Sequence, residues 1–159
     1  MKKAHLFWPL ATSIVLADCA SKRAIESSLD PGQGISIIGE YVRFTLGYNT
    51  GIAFGIPFGI GARPLLIVFT LIACAGIVWI YRSTDAKQWL QIGALGLIMG
   101  GAVGNLLDRA FRDGDGFLGG RVVDFVDLQW WPVFNLADAS LWVGIVILVA
   151  ATLREPAPG

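Results

Sequence analysis

The chain has 159 residues, of which 55% are hydrophobic and 15% are charged, and its mean hydropathy is +0.64. This composition excludes an ordinary soluble domain and predicts a protein embedded in a membrane. Lys and Arg balance Asp and Glu to a formal net charge of zero, so no bulk field favours nucleic acid as a partner.

Four apolar stretches approach the roughly 20 residues that a helix needs to cross a bilayer. They predict an α-helical integral membrane protein of one domain, residues 1–159, with transmembrane helices at about 6–20, 64–81, 89–108 and 132–153. Two longer segments, about 21–63 and 109–131, would lie together on one side. Basic residues are densest on the short segments of the other side, so both termini are expected to be cytoplasmic.

The first predicted helix begins like an export signal, because Met1-Lys-Lys precedes an apolar run that ends at Leu16-Ala-Asp-Cys19. Asp18 stands where a cleavage site requires a small residue, so we interpret the segment as a retained helix. Asp18 and Lys22 are four residues apart and share a helix face. They form either an ion pair at the membrane surface or a structural or head-group-binding pair near a functional site.

The segment from Ser28 to Arg63 has a different pattern. Asp30-Pro-Gly-Gln-Gly34 predicts a turn, and polar and apolar side chains alternate from Tyr41 to Tyr48 as in a half-buried strand. Asn49-Thr-Gly51 predicts a second turn, after which Ile52-Ala-Phe-Gly55 could pair back. The pattern indicates a small sheet on the membrane surface, which either binds an extended peptide as an added strand or merely covers the protein.

The third predicted span carries a row of glycines that would let another helix approach closely. Its members are Gly96, Gly100 and Gly104, with Asp108 continuing the row and Gly101, Asn105 and Arg109 forming the next one. The polar end of these rows either clamps helices together through hydrogen bonds or supports nearby acids.

The segment after this span is rich in glycine. Asp113 to Asp124 superficially matches a calcium-binding loop, but Phe117 and Leu118 occupy positions that require a ligand and a glycine. We interpret the segment as a mobile flap, and Trp130 and Trp131 as part of an aromatic belt at the membrane interface. The flap glycines are Gly114, Gly116, Gly119 and Gly120.

Two acids suggest chemistry: Asp124, in the polar run Arg121–Asp127, and Asp138, inside the last apolar stretch. An acid within a span costs about 2.5 to 3.5 kcal/mol and normally faces a cavity or a partner. Two close acids with restricted water share a proton, so one acts as base and the other as acid. Alternatively, Asp138 pairs with a base from another helix and Asp124 is an ordinary loop acid, as we expect for Asp127.

The surroundings of Asp138 are also informative. Asn135 is three residues before Asp138 and shares its helix face, and Pro132 is typical of a first helical turn. Asp138 would then lie about 9 Å along the axis from Pro132, at about 1.5 Å per residue. The partial positive charge of the helix start would favour its carboxylate.

Five motifs, which together span nearly the whole chain, point to a known family. They are Asp18-Cys-Ala-Ser-Lys22, Asn49-Thr-Gly-Ile-Ala-Phe54, Gly100-Gly-Ala-Val-Gly-Asn-Leu-Leu-Asp-Arg109, Arg121-Val-Val-Asp-Phe-Val-Asp127 and Phe134-Asn-Leu-Ala-Asp138. In this order they resemble the bacterial lipoprotein signal peptidase family, signal peptidase II, which consists of aspartic membrane peptidases. Cys19 departs from the polar residue that the family often has there.

The resemblance implies an inner-membrane endopeptidase with four transmembrane helices, a small periplasmic β-sheet and a flap, and with its active site towards the periplasm. Its substrates would be diacylglyceryl-modified prolipoproteins, cut immediately before the lipidated cysteine, and globomycin would inhibit it. Asp124 and Asp138 would form the catalytic dyad. No metal or other cofactor is implied, membrane lipids would surround it, and we expect a monomer. The supporting positions would be Asp18, Lys22, Asn49, Gly51, Asn105, Asp108, Arg109 and Asn135.

Two other functions compete with this interpretation. A small transporter or channel could carry protons or cations on Asp138 and Asp108, but it needs a continuous polar path and Leu141–Leu153 contains no ionisable residue. A lipid head-group transferase would instead hold a metal with acids on facing helices, and chelators would abolish its activity.

Overall fold

The structure is a computed structural model, and it describes residues 2–51, 63–112 and 119–154. Helices dominate it, and a small sheet joins the two longer connecting segments. In chain order the elements are α1 (Ala4–Ser28), β1 (Gly34–Ile38), β2 (Val42–Asn49), α2 (Arg63–Ser83), α3 (Trp89–Phe111), β3 (Val122–Asp127) and α4 (Leu136–Leu153).

Within the described ranges, three helices are long and apolar enough to cross a membrane: α2 from Pro64, α3 and α4. The protein buries 56% of the most apolar window of α3 but only 17% of that of α2 and 22% of that of α4. We therefore place α3 at the centre and the outward faces of α2 and α4 against lipid. These helices match the second, third and fourth predicted spans, while the first span stays a prediction.

α4 begins later than predicted, at Leu136 instead of Pro132. Asn135 is its N-cap: the Asn135 side chain accepts from the Asp138 N–H, and the Asp138 carboxylate accepts from the Asn135 N–H. This reciprocal capping box sets the helix start. The residues before it are extended, because Phe134 pairs with Val126 of β3. Asp138 therefore lies in the first turn, nearer the helix start than predicted.

The glycine row of α3 packs against α1, which confirms the predicted close approach of two helices. A Cβ atom added at Gly100 would lie 2.7 Å from the Ile14 Cβ and 2.8 Å from the Ala11 carbonyl oxygen. One added at Gly104 would lie 2.8 Å from Asp18 Oδ2. Any side chain on this row would push α1 away from α3.

The start of α1 is tied to the end of α2. The Lys3 ammonium donates to the carbonyl oxygens of Tyr81 (3.0 Å), Arg82 (2.8 Å) and Thr84 (3.1 Å). These carbonyls belong to the last turn of α2 and the residues just after it, where acceptors lack helical partners. Phe7 of α1 stacks on Tyr81 beside this contact, with ring centroids 4.2 Å apart.

The sheet has three antiparallel strands in the order β1-β2-β3. The predicted strand Tyr41–Tyr48 corresponds to β2, whereas β1 was not predicted from its short run Gly-Ile-Ser-Ile-Ile. The suggested pairing of Ile52–Gly55 lies outside the described residues. In the register of β2 with β3, Gly47 stands opposite Asp124 and Asn49 opposite Val122. This register brings the end of β2 beside Asp124.

The run Arg121–Asp127, whose charges suggested a loop, forms β3 instead. Its residues from Val122 to Phe125 are all buried, and Val123 and Phe125 pack with Leu29 and Leu46. A strand covered on both faces does not show polar–apolar alternation, which is why the pattern concealed it.

Two of the flap glycines, Gly114 and Gly116, lie outside the described residues. Gly120 is buried, and its N–H donates to the Arg109 carbonyl at 3.2 Å. An added Cβ there would collide with the Asp108 carbonyl oxygen, so this glycine lets the chain pass tightly against the end of α3.

Candidate active site

Asp124 and Asp138 reach the site from different elements. Asp124 lies on β3 and is 5% exposed, and Asp138 lies in the first turn of α4. Asn135 bridges them: its Nδ2 donates to Asp124 Oδ1 (2.7 Å) and its backbone N–H donates to Asp138 Oδ2 (3.3 Å). Both acids line one cavity of about 360 Å³. The fold therefore brings both carboxyl groups to one cavity and connects them through Asn135.

Two further asparagines complete the contacts of the dyad. Asn49 Nδ2 donates to Asp124 Oδ2 (3.1 Å), and Asn105 Nδ2 donates to Asp138 Oδ1 (2.7 Å). Asn49 is itself held at the end of β2, where its Oδ1 accepts from the Gly51 N–H (2.9 Å). Each of the four carboxylate oxygens thus accepts an N–H, which fixes both groups in orientation.

Burial raises the pKa of Asp124 from 3.8 to about 6, and the nearby charge of Asp138 adds to this rise. The hydrogen bonds from Asn49 and Asn135 act in the opposite direction, because they favour the carboxylate. A carboxyl group with this pKa holds its proton closer to neutral pH than a free aspartate does. That property suits a general acid.

A buried charge cluster lies behind the dyad. The Lys22 ammonium is fully buried between the carboxylates of Asp18 (2.6 Å) and Asp108 (2.8 Å), and it also donates to Asn105 Oδ1 (3.2 Å). Asp18 accepts from the Ala137 N–H (2.9 Å) at the start of α4. Asp18 and Lys22 are therefore a structural pair near the site; the surface-pair and head-group-binding interpretations are wrong, since both side chains are 0% exposed.

The polar end of α3 fits both interpretations offered for it, and Asn105 serves both. Its Nδ2 donates to Asp138 of α4 and its Oδ1 accepts from Lys22 of α1, so Asn105 supports an acid and links three helices. The Arg109 guanidinium donates to the carbonyl of Asn105 on its own helix (3.2 Å) and to the carbonyl of Gly51 (3.4 Å). Arg109 also lines the cavity. The site therefore contains a half-buried cation within the field of the two acids.

Sequence reasoning missed two charged residues that extend the cluster. Arg112 pairs with Asp108 (2.8 Å between Nη2 and Oδ1) and with Glu26 at the end of α1. The spacing of Asp108 and Arg112, four residues apart, is the one signal that could have indicated the first pair. Asp127, which we expected to be an ordinary loop acid, is instead the last residue of β3, where it accepts from Thr45 Oγ1 (3.0 Å) and the Gln129 N–H (2.9 Å).

The remaining cavity wall is mostly apolar. It is formed by α2, by α4 and by the segment before α4, so the cavity is polar at the dyad and apolar where it meets two membrane-facing helices. The α2 wall was not predicted, because its sequence resembles any lipid-facing span. The cavity-lining residues of these three segments are Phe69, Thr70 and Ala73 from α2, Leu141, Trp142 and Ile145 from α4, and Trp131, Pro132, Val133 and Phe134 from the segment before α4.

Comparisons with known proteins agree with the resemblance. Residues 10–154 match the family model described as signal peptidase (SPase) II. A lipoprotein signal peptidase of Mycolicibacterium smegmatis is 42% identical over 155 residues, which cover 96% of this chain and 63% of the relative. That of Mycobacterium avium is 40% identical, with 96% and 81% covered. A solved bacterial membrane enzyme, determined in meso at 2.3 Å resolution, gives a TM-score of 0.82 at 26% identity, with 94% and 91% covered.

Proposed function

Because this chain belongs to the signal peptidase II family, we propose that it is an aspartic endopeptidase of the bacterial inner membrane. It removes the signal peptide of diacylglyceryl-modified prolipoproteins by cutting immediately before the lipidated cysteine. The observation that supports this proposal is the bridged pair of Asp124 and Asp138 at the polar end of an otherwise apolar cavity.

The two acids have different surroundings, and these suggest different roles. Asp138 lies in the first turn of α4, where the helix start is partially positive, and this position suits a general base. Asp124 holds its proton to higher pH than a free aspartate does, and this suits a general acid. Asp138 takes a proton from water as the water oxygen bonds to the scissile carbonyl carbon, and Asp124 gives its proton to the carbonyl oxygen.

When the tetrahedral intermediate breaks down to products, each acid transfers a proton in the direction opposite to that of the first half. The proton held by Asp138 passes to the amide nitrogen as the C–N bond breaks, so the leaving group departs as a neutral amine. Asp124 recovers a proton from one hydroxyl of the intermediate as the new carboxyl group forms. Both acids return to their starting states, and the net reaction consumes one water.

The membrane itself would help to position the substrate. The apolar cavity wall, with Phe69 of α2 and Ile145 of α4, suits the hydrophobic part of a signal peptide, while the acyl chains remain in lipid. In this arrangement α1 is the fourth span, both termini are cytoplasmic and the sheet lies on the periplasmic side. Trp130 is 75% exposed and Trp131 40% exposed, as expected for an interfacial belt.

Incubation of the purified protein with a lipidated prolipoprotein tests this function. We expect the precursor to lose the mass of its signal peptide, and globomycin to prevent the loss. The matched control is the same precursor with serine in place of the lipidated cysteine, which should stay intact. Absence of cleavage, or loss of cleavage on adding a chelator, would contradict the proposal. Ion flux in proteoliposomes without cleavage would favour a transporter.

The pH dependence tests the assignment of the acid. If protonated Asp124 is required, kcat/KM should fall by about tenfold per pH unit above the Asp124 pKa of about 6. Asn49→Ala removes an N–H that favours the Asp124 carboxylate, so it raises the pKa of Asp124 and should move this decline to higher pH. The pH profiles of both proteins decide the point. A rate that instead rises through pH 6 would exchange the roles of the two acids.

A further inference from the structure

A single side-chain amide, that of Asn105, connects Lys22 to Asp138 of the dyad. Its ammonium donates to Asn105 Oδ1 (3.2 Å), and Asn105 Nδ2 donates to Asp138 Oδ1 (2.7 Å). We propose that Lys22 is a positioning residue that fixes the orientation of the Asn105 side-chain amide and so keeps an N–H donor on Asp138. This inference rests on the proposed function, because it assigns a role to Lys22 in the reaction of that site.

The side-chain amide of Asn105 needs a neighbour that fixes its orientation. An asparagine side chain can turn by 180° and exchange its oxygen with its nitrogen, and the two orientations have nearly the same shape. An ammonium carries three N–H groups and has no acceptor. Next to Lys22, Asn105 must therefore present its oxygen. The reversed amide would set N–H against the ammonium and oxygen against the carboxylate of Asp138.

The orientation of a second side-chain amide, that of Asn135, is fixed as well, and this amide donates to the other acid, Asp124. Asn135 Oδ1 accepts from the Asp138 N–H (2.9 Å), so its Nδ2 is turned away from α4. That nitrogen donates both to Asn105 Oδ1 (3.1 Å) and to Asp124 Oδ1 (2.7 Å). Asn105 Oδ1 is thus shared by Lys22 and Asn135. The ammonium and the backbone of α4 orient two adjoining amides so that each donates to a different acid.

The burial of Lys22 is a further argument for this role. Replacement of a buried ion pair by apolar side chains is often neutral for stability or even favourable. Stability alone is therefore a weak reason to keep a fully buried ammonium between Asp18 and Asp108. A stronger reason is that Asn105 needs to face a group that can only donate hydrogen bonds, and an ammonium is such a group.

The test removes the ammonium while preserving the buried charge balance. Lys22→Met alone would leave an extra negative charge, so it is combined with Asp108→Asn. We expect kcat on lipidated prolipoprotein to fall by about 100-fold, as misplacement of a catalytic group by about 1 Å can cause. KM should stay within about threefold, because Lys22 lies behind Asn105. The thermal midpoint should show that the variant folds.

Two further variants distinguish the effect of losing the ammonium from the effect of losing a carboxylate that pairs with it. Asp108→Asn alone keeps Lys22 with Asp18 and Asn105, so its kcat should exceed that of the double variant by at least about tenfold. Lys22→Met with Asp18→Asn removes the same ammonium but a different carboxylate, and should reproduce the loss of kcat. This second pair keeps the test valid if the first pair does not fold.

A double-mutant cycle with Asn105→Ala distinguishes orientation of the amide from general structural support. In that background the amide is absent, so removal of the ammonium should lower kcat no further. An undiminished loss in that background, unchanged kcat in folded variants, or a rise in KM alone would each overturn the proposal. The reaction of the wild-type protein distinguishes failure of the proposed function from failure of the role proposed for Lys22. If the wild-type protein does not cleave the precursor, the proposed function itself fails.

Discussion

Asp124→Asn and Asp138→Asn should each lower kcat by about 10³-fold or more and leave a folded protein. General acid–base catalysis by one positioned group contributes about 10² to 10⁴-fold, and in the proposed mechanism each acid acts in both halves of the reaction. Asparagine preserves the size of the side chain but neither accepts nor gives a proton at these pH values. Accumulation of uncleaved prolipoprotein, followed by mass spectrometry, measures the effect.

The free energy of unfolding of these variants should decrease while the proteins remain folded. Each carboxylate accepts N–H groups on both oxygens, so an introduced amide must place its own N–H against one donor, at a cost of about 1 to 3 kcal/mol. The control is Asp127→Asn, which changes an acid held by Thr45 and the Gln129 N–H and should cleave within about twofold of wild type. Wild-type turnover by either dyad variant would remove that acid from the mechanism.

Gly101→Ala should lower both the thermal midpoint and kcat, although alanine is the better helix former by about 1 kcal/mol. A Cβ atom at Gly101 would lie 2.6 Å from Ser140 Oγ and 2.8 Å from Leu141 Cγ, and would collide with the Ala137 carbonyl oxygen. These contacts belong to the turns of α4 around Asp138. The new methyl group must therefore push α4 outward, and Asp138 moves with it.

We expect a loss of stability of about 1 to 3 kcal/mol, as for other overpacked interiors, and a loss of kcat of about 100-fold. Gly93→Ala is the matched control on the same helix, because its Cβ would lie 3.9 Å from the nearest atom, Leu6 Cδ2. That variant should keep wild-type activity and be at least as stable as wild type, since the helix preference of alanine meets no steric cost there. Equal behaviour of the two variants would show that α4 can move away without affecting the dyad.

The residues around the dyad could largely be proposed from local spacing and from the order of motifs. The glycine row predicted a helix contact because a period of four residues is a property of one helix face. Asp18 with Lys22, and Asn135 with Asp138, share faces for the same reason. Their partners could not be found this way: nothing in the spacing links Glu26 to Arg112 or Lys22 to Asn105, since these contacts depend on how α1 and α3 cross.

The strand that carries Asp124 was concealed by its own burial. β3 is covered on both faces and bears acids at both its centre and its end, so its sequence lacks the alternation that identified β2. The start of α4 was misplaced for a related reason. The apolar residues from Pro132 to Phe134 have the composition of a span, but Phe134 pairs with β3, and the capping box delays the helix to Leu136. Tertiary contacts decided both outcomes over local preference.

The capping box joins the folding of α4 to the geometry of the site, because the Asp138 carboxylate both caps the helix start and forms half of the dyad. Serine or threonine at this position could not carry out both tasks, even where either would suit a helix terminus. In the proposed mechanism, moreover, each turnover briefly neutralises the carboxylate that accepts from the Asn135 N–H, so the first turn should loosen and tighten once per bond cut. Attempts to make the protein more heat-resistant should therefore leave this turn unaltered and work on the lipid-facing surfaces of α2 and α4.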